Sequence, residues 1–100
     1  MAITYAQARE LARQAGEVDW NIGTFCLDDR EITEDEEVYV FTVGARELIV
    51  DGNEDYMTWG GAMPVVSKVD GTVEWLPWVA LMADRPNLRS YPNPDPTLRT

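Results

Sequence analysis

Apolar positions in the first sixteen residues recur at three- and four-residue spacing. Tyr5, Ala8, Leu11, Ala12 and Ala15 fall on one face of a helix, and Gln7, Arg9, Glu10, Arg13 and Gln14 take the rest. Thr4 and Gln7 have the T-x-x-Q spacing of a capping box, with Thr4 as N-cap. Gly16 can adopt the left-handed cap conformation and is expected to end the helix. The buried face is mostly alanine, so the helix can lie close against a sheet.

Beyond the helix the pattern becomes that of strands. Trp20 to Leu27 reads as one, weakened at its start by Asn21 and Gly23. Asp28 to Glu37, DDREITEDEE, is polar, and only Ile32 and Thr33 interrupt it. EVYVFTV, Glu37 to Val43, is rich in β-branched and aromatic residues. Gly44 and Ala45 suit a turn or a bulge. RELIVDGN then reads as a short strand or a helical turn ending at Asp51-Gly52, and Asn53 to Ala62 as a loop. Met63 to Ser67 and Thr72 to Leu76 flank Lys68-Val69-Asp70-Gly71 and predict a hairpin, since Asp-Gly supplies the positive φ of a tight turn. Val73 and Trp75 then share one face, and Thr72, Glu74 and Leu76 the other. Pro77 ends the strand. Trp78 to Ala83 suits a short helix stopped near Arg85-Pro86, and YPNPDPTLRT an extended tail. The expected core includes Leu11, Phe25, Tyr39, Phe41, Val65 and Val73.

Composition narrows the chemistry. The 100 residues suit one domain, and 45% apolar with 26% charged residues is the balance of a folded chain. No apolar run approaches the ~20 residues of a membrane span. The opening residues, MAITYAQARELARQ, lack a basic segment followed by an apolar one, so no secretory leader is expected. Cys26 is the only cysteine, which favours a reducing cytoplasm and reads first as a small buried hydrophobe. There is no histidine, which removes the usual general base and the commonest metal ligand, along with any Ser-His or Cys-His pair. No phosphate-binding glycine loop occurs, and Gly60-Gly61 does not fit a dinucleotide fingerprint.

Eighteen acids against eight bases leave a net charge of −10. Such a field repels nucleic acid and anionic lipid and favours a basic partner. Seven of the acids, Asp28, Asp29, Glu31, Glu34, Asp35, Glu36 and Glu37, lie within ten residues. As a catalytic pair they would need a cleft that splits their pKa values. As a calcium loop they lack the D-x-[DN]-x-[DN]-G pattern and its glycine. A solvated hairpin arm is the simpler reading of such a run. Four tryptophans, Trp20, Trp59, Trp75 and Trp78, serve either as core filling or as exposed anchors for a protein partner.

From Val38 onward the order of features resembles the immunity protein 35 family, also called the YrhB-like domain. The features are VYVF (Val38 to Phe41), a short segment ending near Asp51-Gly52, the turn Gly60-Gly61-Ala62-Met63-Pro64, the strand VVSK, the Asp70-Gly71 turn and the strand TVEWL. An opening helix that begins I-T-Y-x-x-A, Ile3 to Ala8, is also similar. Together they span about four-fifths of the chain, with order and spacing carrying the resemblance. The chain departs from the family at or beside Tyr39, where tryptophan is usual, and from Pro77 to Thr100, which resembles nothing in it.

The resemblance implies a small α+β domain, a helix packed on an antiparallel sheet. The strands placed above number about four, followed by a short C-terminal helix or extended tail. Residues 1–90 are expected to form the domain and 91–100 a proline-rich tail. Family members are encoded beside polymorphic or contact-dependent bacterial toxins and are thought to protect the producing cell by binding the toxin. One branch is described as chaperone-like. The expectation is therefore a cytoplasmic immunity protein, not an enzyme, with no cofactor or metal, that neutralises a cognate toxin of basic surface by stoichiometric binding. The alternative is a chaperone or adaptor that holds basic or partly unfolded clients. The acidic run Asp28 to Glu37 is the first candidate contact, and Trp59 and Trp78 are the second.

Overall fold

The computed structural model describes residues 2–18, 20–57 and 61–98. Helix α1 runs Tyr5–Glu17, followed by strands β1 Phe25–Glu34 and β2 Val38–Ala45. Next come the helical turn α2 Arg46–Ile49 and a 3-10 turn at Glu54–Tyr56. Strands β3 Ala62–Ser67 and β4 Val73–Pro77, helix α3 Trp78–Asp84 and strand β5 Arg89–Pro92 complete the chain. The strands form one antiparallel sheet in the order β4-β3-β2-β1-β5. The fold is α+β, an N-terminal helix on an antiparallel sheet. Among the described residues no helix is long and apolar enough to cross a membrane.

The capping box forms: the Gln7 amide N–H donates to Thr4 Oγ1 at 3.2 Å, and the Thr4 N–H donates to Gln7 Oε1 at 2.8 Å. Thr4→Ala removes one half of that exchange and is expected to cost about 1 kcal/mol, with Thr4→Gly costing only a few tenths. Urea melts of the two variants check this; equal stability of Thr4→Ala and wild type would mean that the cap contributes nothing. Gly16 does not end the helix. It is buried one residue inside the helix end, and a Cβ there would stand 2.4 Å from Phe25 Cε1. The glycine is needed for close helix–sheet approach, not for a left-handed cap.

The core has two halves, one on each sheet face. On the α1 side Ala8, Ala12, Phe41 and Val66 are buried together, with Leu11, Tyr39 and Val73 packed against them. On the other side Val38, Val40, Val65 and Leu81 are buried, with Met63, Leu76 and Leu88 around them. Phe41 and Val65 thus lie in the core as expected, but on opposite faces. Phe25 is half-buried and meets Trp20 edge-on, with ring centroids 5.3 Å apart. Alternation along β4 places Val73 toward α1 and Leu76 toward α3, as the sequence predicts.

Two segments differ from the sequence reading. β1 is a ten-residue strand that runs through the acidic stretch, not a strand that stops at Leu27. It pairs with β2 on one side and β5 on the other, so its backbone is satisfied where its side chains are polar. The register slips between Asp28 and Thr33, leaving Asp29 to Ile32 opposite Phe41 alone. The second segment is the proline-rich end. Arg89–Pro92 adds a fifth, edge strand, where a proline is tolerated. The Asn93 N–H donates to the Arg30 carbonyl at 3.0 Å, and Leu98 is buried. Residues 93–98 therefore dock on the domain through β1 and do not trail from it.

Candidate functional site

The seven acids of the run divide into two groups. Asp29 is fully buried although it is charged. Its Oδ2 accepts from the Thr97 N–H at 2.9 Å, the Thr97 hydroxyl at 2.6 Å and Arg9 Nη1 at 3.3 Å, and its Oδ1 accepts from the Leu98 N–H at 2.9 Å. Burial alone would raise its pKa. The hydrogen bonds from Thr97 and Leu98, joined by Arg9, outweigh burial and hold the carboxyl below the usual range. Asp29 is thus the clasp that binds the C-terminal segment to β1 and α1.

Glu34 is also buried. Lys68 Nζ lies 2.6 Å from its Oε1 and 4.6 Å from the Tyr39 ring centroid, and the Tyr91 hydroxyl donates to Oε2. Burial raises the Glu34 pKa, but Lys68 and Tyr91 more than offset it. Asp35 accepts from the Glu37 and Val38 N–H groups at 2.8 and 2.9 Å and shapes the β1–β2 turn. Its Oδ2 also meets Arg85 Nη1 at 3.0 Å. Asp28 is gripped by the Arg30 guanidinium through two bonds of 2.9 and 2.7 Å. Four acids of the run are therefore held by groups of the chain itself. The other three, Glu31, Glu36 and Glu37, are exposed, and only Glu37 has an ion-pair partner among the described residues, Arg85 at 3.5 Å.

Of the candidate tryptophans, Trp59 lies outside the described residues. Trp78 opens α3 and is 47% exposed. Val79 and Met82, which sequence reasoning did not single out, are 80% and 58% exposed on the same helix. Positions 78, 79 and 82 lie within about 100° of one another on the helix, while Leu81, next to Trp78 one turn on, is buried against the sheet. The segment WVALMAD is almost wholly apolar, so its sequence does not tell which side meets the core. Trp75 points to the other side of the sheet, where it lines a cleft with Trp20, Val43 and Met63. Cys26 is buried, and burial pushes its thiol pKa up, away from reactivity.

Arg85 joins the two surfaces. It caps α3, and its guanidinium reaches Asp35 and Glu37 in the β1–β2 turn. The end of α3 and the β1–β2 turn that carries Glu36 and Glu37 are thereby tied to one another through a single side chain. Exposed apolar groups beside exposed carboxylates can bind a protein surface that carries both apolar and basic groups. Among the described residues no group of three or more Cys, Asp or Glu side chains is arranged to hold a metal ion. Compared with protein-family models, curated proteins and solved structures, the chain matches none of them.

Proposed function

We propose that this chain is a bacterial immunity protein that acts in the cytoplasm, not as an enzyme, by binding a cognate toxin of basic surface in a one-to-one complex. The observation that carries this reading is the exposed apolar face of α3, Trp78, Val79 and Met82, on a helix whose end Arg85 ties to the turn carrying Glu36 and Glu37. Desolvated aromatic anchors with a charged rim are how small inhibitors bind tightly and find their partner quickly. The resemblance to the immunity protein 35 family supports the same reading. A chaperone-like role also draws on the apolar face, which would then hold unrelated partly unfolded clients.

The exposed acids steer the encounter, and the internal ones do not. Reversing Glu31, Glu36 and Glu37 to Lys is expected to slow association with the cognate toxin domain by about tenfold at low salt and to flatten its salt dependence. The dissociation rate should change less. Binding kinetics at several salt concentrations measure both, with thermal melts to confirm folding. A one-to-one complex with that domain alone supports immunity, whereas suppression of aggregation of unrelated proteins supports the chaperone. Unaltered association of the charge-reversed protein would leave the apolar face as the only contact.

A further inference from the structure

The two edges of the sheet differ. The outer strand β5 is four residues long, carries Arg89 and ends in Pro92, and charge and proline both discourage a further strand. The other outer strand, β4, carries no lysine or arginine, and its proline stands last. At its centre Trp75 is 42% exposed. The phase of the hydrogen bonds tells which way its backbone points. The Ser67 N–H donates to the Thr72 carbonyl at 2.9 Å, so these two form a hydrogen-bonded pair. Such pairs alternate along an antiparallel ladder. With Val65 opposite Glu74 and Pro64 opposite Trp75, Glu74 and Leu76 face β3, whereas Val73 and Trp75 turn N–H and carbonyl outward. Pro64, which has no N–H, stands where this ladder asks for none. On the outer side no backbone group of the described residues meets Val73 or Trp75.

We propose that the β4 edges of two copies of this chain pair antiparallel about Trp75, joining two sheets in a symmetric dimer. The strand's own sequence selects that register. Centred on Trp75, the two Trp75 residues exchange both of their hydrogen bonds, and each Val73 N–H meets the Pro77 carbonyl of the other copy. Every outward N–H is used, Pro77 is asked only to accept, and Glu74 lies opposite Leu76. The two exposed indoles become a cross-strand aromatic pair. Centred on Glu74, the pairing makes as many bonds but sets the two Glu74 carboxylates directly opposite, which is destabilising. Any other centre within the strand leaves Val73 or Trp75 unpaired. The pairing closes on itself, because each copy spends its one unprotected edge. Each chain carries a charge of −10, so screening by salt strengthens the dimer, the reverse of its effect on a basic toxin. The proposal rests on the edge geometry and not on the toxin reading.

Sedimentation velocity of the whole protein over a range of concentrations, at low and high salt, measures the mass, and amide hydrogen exchange read by NMR locates the contact. A monomer–dimer equilibrium that moves to dimer with concentration and with salt is expected. Exchange at Val73 and Trp75 should slow as dimer forms, while Glu74 and Leu76, bonded to β3, exchange slowly at every concentration. Trp75→Lys sets two lysines face to face and should weaken the dimer about tenfold or more, whereas Trp75→Phe should keep it. Val18→Lys, which changes a residue 76% exposed at the end of α1, should leave it intact. Thermal melts confirm that each variant is folded. A monomer under all conditions, a dimer whose Val73 and Trp75 amides exchange as fast as in the monomer, or a dimer that Trp75→Lys leaves unaltered would each overturn the proposal. Protection of these amides only when a different protein is added would also overturn it, and would give the edge to a strand of that protein.

Discussion

Phe41→Ala is expected to lower the unfolding free energy by about 3–5 kcal/mol. Phe41 is 2% exposed at the centre of the α1-side core, where it packs on Tyr5 with ring centroids 5.5 Å apart and on Tyr39 at 6.4 Å. It is also the one β2 residue that faces the bulged stretch Asp29 to Ile32. Truncation therefore opens a cavity between helix and sheet at the point where β1 has no regular pairing with β2 to close around it. A domain of this size has ~5–15 kcal/mol in total, so the variant should unfold at much lower denaturant or fail to fold. Phe41→Leu keeps most of the volume and should lose less, which separates a cavity effect from outright misfolding. Equilibrium urea unfolding of both variants decides it; a loss under about 1 kcal/mol for Phe41→Ala would remove Phe41 from the core.

Asp29→Ala is expected to cost about 2–4 kcal/mol, from three donors of Thr97 and Leu98 that lose a buried charged acceptor. The partly exposed Arg9 can turn to water, so its ion pair adds little. The loss is also bounded, because the segment 93–98 can detach and hydrate its N–H groups. Hydrogen exchange at Leu98 should therefore accelerate more than exchange at Phe41. Unchanged exchange at Leu98 and an unchanged urea midpoint would show that the clasp contributes nothing. The same carboxylates set the response to acid. Asp29, Glu34 and Asp35 have folded pKa values below their unfolded ones, so their stabilisation is complete above about pH 5 and drains as pH falls through the folded values. The urea midpoint should stay level from about pH 7 to pH 5 and fall steeply below about pH 4. In Asp29→Asn the fall should be shallower, from a lower starting point.

Much of this architecture is legible in the chain. The helix start follows from Thr4 and Gln7, a local exchange of hydrogen bonds. The β3–β4 hairpin follows from alternation around Asp70-Gly71, where Gly71 takes φ +77°. β2 follows from the β-branched and aromatic residues of VYVF. Each of these signals lies within a few residues of the structure it specifies.

Tertiary structure decided what each polar or small residue is for. Gly16 offers the same freedom in sequence whether it caps a helix or admits Phe25, and only the 2.4 Å approach makes it a packing glycine. Asp29 and Glu31 are equivalent in the acidic run, yet one is buried under Thr97 and Leu98 and the other lies in water. The partners of Asp29, Glu34 and Asp35 lie 20 to 69 residues away, apart from the local turn contacts of Asp35, so no window of sequence contains them. The fifth strand was hidden for the same reason: prolines argue against a strand locally, but an edge position beside β1 accepts one. By itself the sequence determined the elements with short-range causes, in an acidic chain without histidine. The fold alone decided which carboxylates it would consume and which apolar face of α3 it would leave uncovered, because burial is a property of the assembled chain and not of any segment.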